Sequence, residues 1–174
     1  MHQAVAQSLV DRLSAFPMRL DALVSGLPDA DWRWRPDPKS WAIVEVVGHL
    51  LHEERVDFRH RLRLTLESPG EPWPPIDPEA SVREERYIEA DPADLLSGLE
   101  RERRDSIAWL RSIAAPDWDV AYVHPRGDLR AGDLLASWTD HDLLHARQIV
   151  KRLHQIVLRD AAGYDCRYAG EWTA

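Results

Sequence analysis

Four long stretches of this chain repeat apolar residues at steps of three and four positions, the spacing of one face of an α-helix. Almost nothing alternates as a strand would. Helices of about 24 residues are about 36 Å long, and amphipathic helices of equal length bury their apolar faces by packing around one axis. The sequence therefore predicts an all-α four-helix bundle that forms one domain over residues 1–174. The predicted helices cover about residues 2–25, 41–66, 92–114 and 131–158.

Local signals set the ends of these helices. Gly26 and Pro28 end the first helix, in which Pro17 predicts a kink because it lacks a backbone donor. Ser40 is a candidate N-cap for the second helix, and Asp91-Pro92 is a start signal for the third. The connectors to the third helix are long enough to cross the end of the bundle, so the sequence does not require a simple up-down-up-down order.

Charge and composition exclude several classes of protein. The net charge of -8 has the wrong sign for a phosphate-backbone binder, so we expect no nucleic-acid partner. The single cysteine, Cys166, excludes an intrachain disulfide. The most apolar stretch, residues 41–51, is shorter than the roughly 20 residues of a membrane span, and the first residues do not resemble a signal peptide. We therefore expect a cytoplasmic protein without a membrane partner.

Two histidines of the last predicted helix are candidates for chemistry. His141 and His145 lie four positions apart in WTDHDLLHARQI, so both rings project from one face, within the predicted apolar stripe. A buried polar group without a partner costs about 1–3 kcal/mol, and one shared metal ion would satisfy a nitrogen on each ring. The spacing alone leaves open a structural pair that is bonded to backbone or carboxylate groups.

The second predicted helix offers further ligands in the sequence HLLHEE. His49, His52, Glu53 and Glu54 are each candidate ligands or partners of a ligand. His49, however, lies roughly 100° from the centre of the apolar stripe on this helix. Helical periodicity therefore does not place His49 towards the fourth helix.

Two motifs together resemble a known family. The segments WAIVEVVGHLLHEE (41–54) and WTDHDLLHARQI (138–149) resemble the DinB-like superfamily, close to its YfiT-type metal-dependent hydrolases. The resemblance covers residues from about 9 to 153. It implies a four-helix bundle in up-down-down-up order, and a divalent ion, zinc or nickel, bound by three histidines. Carried onto this sequence, the implied ligands are His49, His141 and His145.

Three neutral imidazoles leave an open coordination position on a zinc-like ion, which is typical of a catalytic site. Such an ion generates hydroxide at neutral pH or binds a thiol as thiolate. The family includes thiol S-transferases, so the expected function is a metal-dependent hydrolase or a thiol S-transferase. The expected substrate is a small molecule, with a low-molecular-weight thiol among the candidates. Two alternatives remain open: a non-catalytic metal- or ligand-binding module linked to stress, and a metal-free helical interaction protein.

Other residues near the motifs have predicted roles. Glu53 follows His49 by one turn and is a candidate general base or orienter of the ring, with a plain surface acid as the alternative. Trp41 and Trp138 either wall the site or belong to the core, and Gln148 either contacts substrate or is solvated. No basic cluster is evident beside the motifs, although Arg55 and Arg147 are candidates for an anionic cofactor.

An exposed apolar seam on a helix bundle favours self-association, so we predict a homodimer. The aromatic residues of the C-terminal tail are predicted to cover such a seam or the end of the bundle: Tyr164, Tyr168 and Trp172.

Overall fold

The computed structural model describes residues 1–124 and 127–172, with the backbone alone for residues 78–80; the predicted domain thus includes four residues outside the described ranges. The helices are α1 (Gln3–Val24), α2 (Asp29–Trp32), α3 (Ile43–Val56), α4 (Phe58–Glu67), α5 (Pro78–Glu84), α6 (Pro92–Ser112) and α7 (Ala131–Asp160). Short 3₁₀ helices cover Tyr87–Glu89 and Arg167–Ala169. The strands β1 (Ala121–Tyr122) and β2 (Leu129–Arg130) form one antiparallel pair.

A four-helix bundle is built from α1, the consecutive pair α3 and α4, α6, and α7, as predicted. Contacts between side chains give the direction of each helix. The helix α6 is antiparallel to α1 and parallel to α3 and α4, while α7 is antiparallel to α3 and parallel to α1. The order is therefore up-down-down-up. The pairs that fix these directions are Asp11–Arg111, Leu13–Arg103, Arg55–Glu102, Arg59–Ser106, Trp41–Arg152, Trp138–Glu54, Met1–Gly132 and Asp31–Arg159.

The second helix of the bundle differs from the prediction. It is interrupted at Asp57, where the backbone has φ −111° and ψ −89°, so that α3 and α4 are separate helices. Its N-cap is Ala42 rather than Ser40, because the Glu45 carboxylate accepts a hydrogen bond from the Ala42 N–H at 2.8 Å. The Ser40 hydroxyl instead donates to Asp37.

Other local predictions have mixed outcomes. The helix α1 continues through Pro17 without interruption. The capping prediction at Asp91 is confirmed, since its side chain accepts hydrogen bonds from the N–H groups of Ala93 and Asp94. In the tail, Tyr164 and Tyr168 are exposed, whereas Trp172 stacks on the ring of His154 in α7 with 4.8 Å between centroids.

The core has two apolar clusters with a charged layer between them. One cluster surrounds the start of α3, and the other surrounds α4 and the first half of α7. The buried guanidinium of Arg103 lies 5.9 Å from the ring of Phe16 in the first cluster and 5.6 Å from the ring of Trp138 in the second. Within the described residues, no helix is both long and apolar enough for a bilayer span.

Candidate metal centre

The antiparallel helices α3 and α7 bring three histidines together. His141 and His145 are one turn apart on α7, and His49 comes from α3, 92 positions earlier than His141. The Nε2 atom of His141 lies 3.3 Å from that of His49 and 3.1 Å from that of His145. All three rings thus direct a nitrogen into one small volume.

Packing of α3 turns His49 towards this point. On one side, Gly48 lies directly beneath the ring of Tyr87, where a Cβ atom would clash with the ring. On the other side, the Trp138 indole N–H donates a hydrogen bond to the buried Glu54 carboxylate at 3.0 Å. These contacts fix the rotation of α3 about its axis, which periodicity left undetermined.

Hydrogen-bond partners indicate which nitrogen of each ring bears the proton. The side-chain oxygen of Gln148 lies 2.8 Å from the Nδ1 atom of His145, so Nδ1 bears the proton and Nε2 keeps its lone pair. On His49, the Nδ1 atom faces the Glu53 carboxylate at 3.8 Å. A proton on this Nδ1 again leaves the lone pair on Nε2. Lone pairs therefore converge at the centre of the cluster.

The three imidazoles are in the neutral form that binds metals. Burial lowers the pKa of His49 and of His141 to about 3, with a further contribution from the neighbouring His145 in each case. Burial also lowers the pKa of His145. At neutral pH all three rings are uncharged and need no deprotonation before they bind a cation.

The donor set fits a divalent ion. Ligand bonds of about 2.0–2.1 Å place neighbouring nitrogens roughly 2.8–3.4 Å apart in octahedral or tetrahedral geometry, and this range includes both separations in the cluster. Hydrogen bonds alone do not account for the arrangement. A neutral ring nitrogen has either one proton or one lone pair, so Nε2 of His141 cannot bond well to both neighbours.

A buried acid lies behind His49. Glu53 is 4% exposed, so the alternative of a plain surface acid is wrong. Burial, together with the negative charge of Asp57, raises the pKa of Glu53 to about 8. Its Oε1 atom has no hydrogen-bond partner among the described residues, and the same is true of Nδ1 on His49. The two groups are thus placed to interact with each other.

Aromatic rings enclose the cluster from two sides. The ring of Trp41 is stacked on that of His145, with 6.4 Å between centroids, and lies 5.1 Å from that of His49. Phe58 lies 4.9 Å from the ring of His141. Trp138 belongs to the core instead, at 1% exposure. His141 and His145 are half-buried, so the cluster is partly open to solvent on their side.

Sequence reasoning missed the buried ion network beside the cluster. Arg103 binds Asp142 through two nitrogens at 2.6 and 2.9 Å and binds Glu54 at 2.9 Å. The signal was present, because Arg103 falls in register between the apolar residues Leu99 and Ile107 of the α6 stripe. This network joins α3, α6 and α7 directly behind the histidines.

The remaining predicted residues lie elsewhere. Arg55 pairs with Glu102 on the surface, and Arg147 is exposed on α7. His52 is half-buried on α3 and does not join the cluster of three.

Comparisons with known proteins agree with this architecture. The sequence profile of the DinB superfamily matches residues 12–149. No curated protein has a significantly similar sequence. Among solved structures, YfiT from Bacillus subtilis, described as a probable metal-dependent hydrolase with an unusual four-helix bundle topology, superposes with a TM-score of 0.80. The match covers 90% of each chain at 19% sequence identity, and it establishes a shared fold.

Proposed function

This chain belongs to the DinB superfamily, and we propose that it is a metal-dependent hydrolase acting on a small-molecule substrate. The observation that carries the proposal is the convergence of three neutral imidazole nitrogens, with separations of 3.1 and 3.3 Å along the cluster. His49, His141 and His145 would hold the ion, with zinc or nickel as the expected metal. When bound, a divalent ion with three protein ligands supplies Lewis acidity and an open coordination position.

The surrounding residues orient the ligands. Gln148 accepts the Nδ1 proton of His145 and so keeps the Nε2 lone pair directed into the cluster. We assign Glu53 the same task for His49, because its carboxylate lies on the Nδ1 side of that ring. This position behind the ligand favours the orienter, rather than the general base, of the two roles expected for Glu53 from sequence. Trp41 and Phe58 exclude water from the flanks of the cluster.

Metal analysis of purified protein tests the site. We expect about one divalent ion per chain in the wild type and less than about 0.1 in the double variant His141→Ala/His145→Ala. The variant His60→Ala, which removes an exposed histidine from α4, is the matched control and should retain the ion. Full occupancy in the double variant would refute the assignment of the ligands.

Turnover assays test the reaction. The metal-loaded protein is offered ester and amide substrates, and separately low-molecular-weight thiols with electrophiles. Hydrolysis that is lost in the double histidine variant supports the proposal. Turnover of thiol and electrophile pairs alone would replace it with S-transfer in the same site. A metal-loaded protein without turnover in either panel would favour the non-catalytic binding module.

We also propose a cytoplasmic homodimer. Val5 and Leu143 are each about half exposed and line the groove between α1 and α7, and they supply an apolar surface for a second copy. Light scattering should then give twice the 20.0 kDa chain mass. A monomeric mass at all accessible concentrations would contradict the dimer.

A further inference from the structure

A polar cleft of about 540 Å³ opens near the histidine cluster, between the loop before α3 and the second half of α7. Two of its lining residues contact the cluster directly. Trp41 stacks on the ring of His145, and Gln148 accepts the hydrogen bond from Nδ1 of the same ring. None of the three histidines lines the cleft itself, so a molecule in it would be separated from the proposed metal centre by the ring of His145 and its contacts with Trp41 and Gln148. The volume is within the range of about 300–1,000 Å³ for small-molecule sites.

The charge of the cleft is opposite to that of the chain. Lys39, Lys151 and Arg152 line it with three positive charges, and Asp37 contributes one negative charge. The Asp37 carboxylate already accepts hydrogen bonds from the Ser40 hydroxyl at 2.7 Å and the Lys39 backbone N–H at 2.8 Å. Lys39 and Lys151 are exposed, and neither forms an ion pair within the described ranges. The cleft thus has a formal charge of about +2 in a protein of net charge -8.

Arg152 is the least expected of these cations, because it is 7% exposed. Its Nε donates to the Trp41 carbonyl at 3.1 Å and its Nη1 to the Gln155 side chain at 2.7 Å. In the part of the chain that the structure describes, no carboxylate lies within ion-pair distance of its guanidinium. Both hydrogen-bond partners are neutral, and the carboxylates of Asp37 and Glu45 attract the guanidinium only from longer range, so the cost of burying this charge is poorly compensated.

We propose that this cleft binds an anionic group of the substrate, a carboxylate or a phosphate. This inference rests on the proposed function, since it assumes that the reacting part of the same molecule lies at the histidine cluster. Arg152 provides the counter-charge from the floor of the cleft, and Lys39 and Lys151 provide it from the rim. The substrate class is therefore an ester or amide that also bears a carboxylate or phosphate group, rather than a neutral ester or amide.

Anion titrations of the metal-free protein test the cleft, because removal of the ion prevents the anion from binding to it. Inorganic phosphate and succinate are titrated separately by calorimetry. We expect Lys151→Gln to weaken binding by about fivefold, and Lys39→Gln/Lys151→Gln by more than about tenfold, as for the loss of exposed charge pairs. The matched control is Arg147→Gln, an exposed cation one turn earlier on α7, which should change affinity by less than about twofold.

The pattern across variants decides the inference. Stronger lysine-dependent binding of phosphate assigns a phosphorylated substrate, and stronger binding of succinate assigns a carboxylate. Equal anion affinities in wild type and both lysine variants would overturn the proposed anion site. An equal loss of affinity in Arg147→Gln would also overturn it, because it would indicate a general effect of charge.

Metal content measured on the same preparations separates the two proposals. Lysine-dependent anion binding by a chain that takes up no divalent ion would overturn the proposed function while leaving an anion site. One ion per chain together with anion binding that does not depend on the lysines would overturn only the proposed anion site in the cleft. Because the lysine side chains are exposed, their replacement should leave the fold intact.

Discussion

At the scale of single residues, the protonation of Glu53 links the site to stability. The pKa of this acid is raised to about 8 in the folded chain, chiefly by burial, from its ordinary value of 4.5. At pH values between about 4.5 and 8, the folded state therefore keeps a proton on Glu53 that the unfolded state has released. The contribution of Glu53 to the free energy of unfolding is therefore fully present below about pH 4.5 and is lost as pH rises through about 8.

Replacement of Glu53 by glutamine should remove this pH dependence. Glutamine resembles the protonated acid, so Glu53→Gln and wild type should have similar stability at pH 5. As pH rises to 8, the variant should become more stable than wild type by roughly 1–4 kcal/mol. Denaturant unfolding of both metal-free proteins at several pH values measures the difference. A difference that stays constant with pH would contradict a protonated, buried Glu53.

Residue by residue, the sequence predicted only part of the site. The spacing of His141 and His145 was sufficient to place both rings together, because one helix fixes their separation. Burial of Glu53 could not be predicted in this way, since an acid beside two other polar residues is more often solvated. Gln148 was expected to contact substrate or to be solvated, and neither alternative included the 2.8 Å hydrogen bond that makes it a partner of His145.

At the scale of elements, α3 explains why the phase of His49 was undetermined. Every residue from Ala42 to Leu51 is buried, so this segment has no single apolar stripe against which a ring could be oriented. The break at Asp57 then separates α3 from the amphipathic α4. An apolar stripe that is calculated over residues 41–66 as one helix therefore describes neither α3 nor α4. The family resemblance placed His49 because it does not depend on helical phase.

The contact between Gly48 and Tyr87 should control the position of α3. A Cβ atom at Gly48 would lie 2.3 Å from Cγ of the Tyr87 ring, so Gly48→Ala requires the ring or the helix to move. We expect a loss of about 1–3 kcal/mol in the free energy of unfolding, together with weaker metal binding through displacement of His49. Denaturant unfolding and metal titration measure the two effects.

A double-mutant comparison distinguishes this clash from other effects of alanine. In a Tyr87→Ala background, Gly48→Ala should cost nothing or stabilise by up to about 1 kcal/mol, because alanine is the better helix former. The control Gly70→Ala adds a Cβ that meets nothing within 4 Å. An equal cost of Gly48→Ala with and without the Tyr87 ring would refute the packing explanation.

At the scale of the whole molecule, the order of the helices creates the site. Because α3 and α7 are antiparallel neighbours, residues 92 positions apart meet in the interior. Periodicity predicted four amphipathic helices but not their arrangement, since many orders bury the same stripes. The parallel alignment of α3 and α6 depends on the long connector through α5, whose contacts with α3 are not local in sequence. The up-down-down-up order was therefore available only from the family resemblance.

The bundle should fold without the ion, but binding of the ion should raise its free energy of unfolding. The two apolar clusters and the Arg103 network hold the helices together without a ligand at the histidines. An ion bound to α3 and α7 stabilises the native state through mass action alone. At a free concentration of 100 times its Kd, the gain is about 2.7 kcal/mol, which corresponds to a rise in Tm of about 5–10 °C for a chain of this size.

Thermal unfolding after chelation, and again after addition of zinc or nickel, should therefore show this rise in wild type and in the control His60→Ala. The variant His141→Ala/His145→Ala should show no response to either ion, because one remaining imidazole cannot hold it. Far-UV circular dichroism of the chelated wild type should retain the full helical signal, since the core is complete without the ion. Loss of helix on chelation would mean that the ion organises the bundle itself. An unchanged Tm at saturating zinc and nickel would instead count against the three-histidine site.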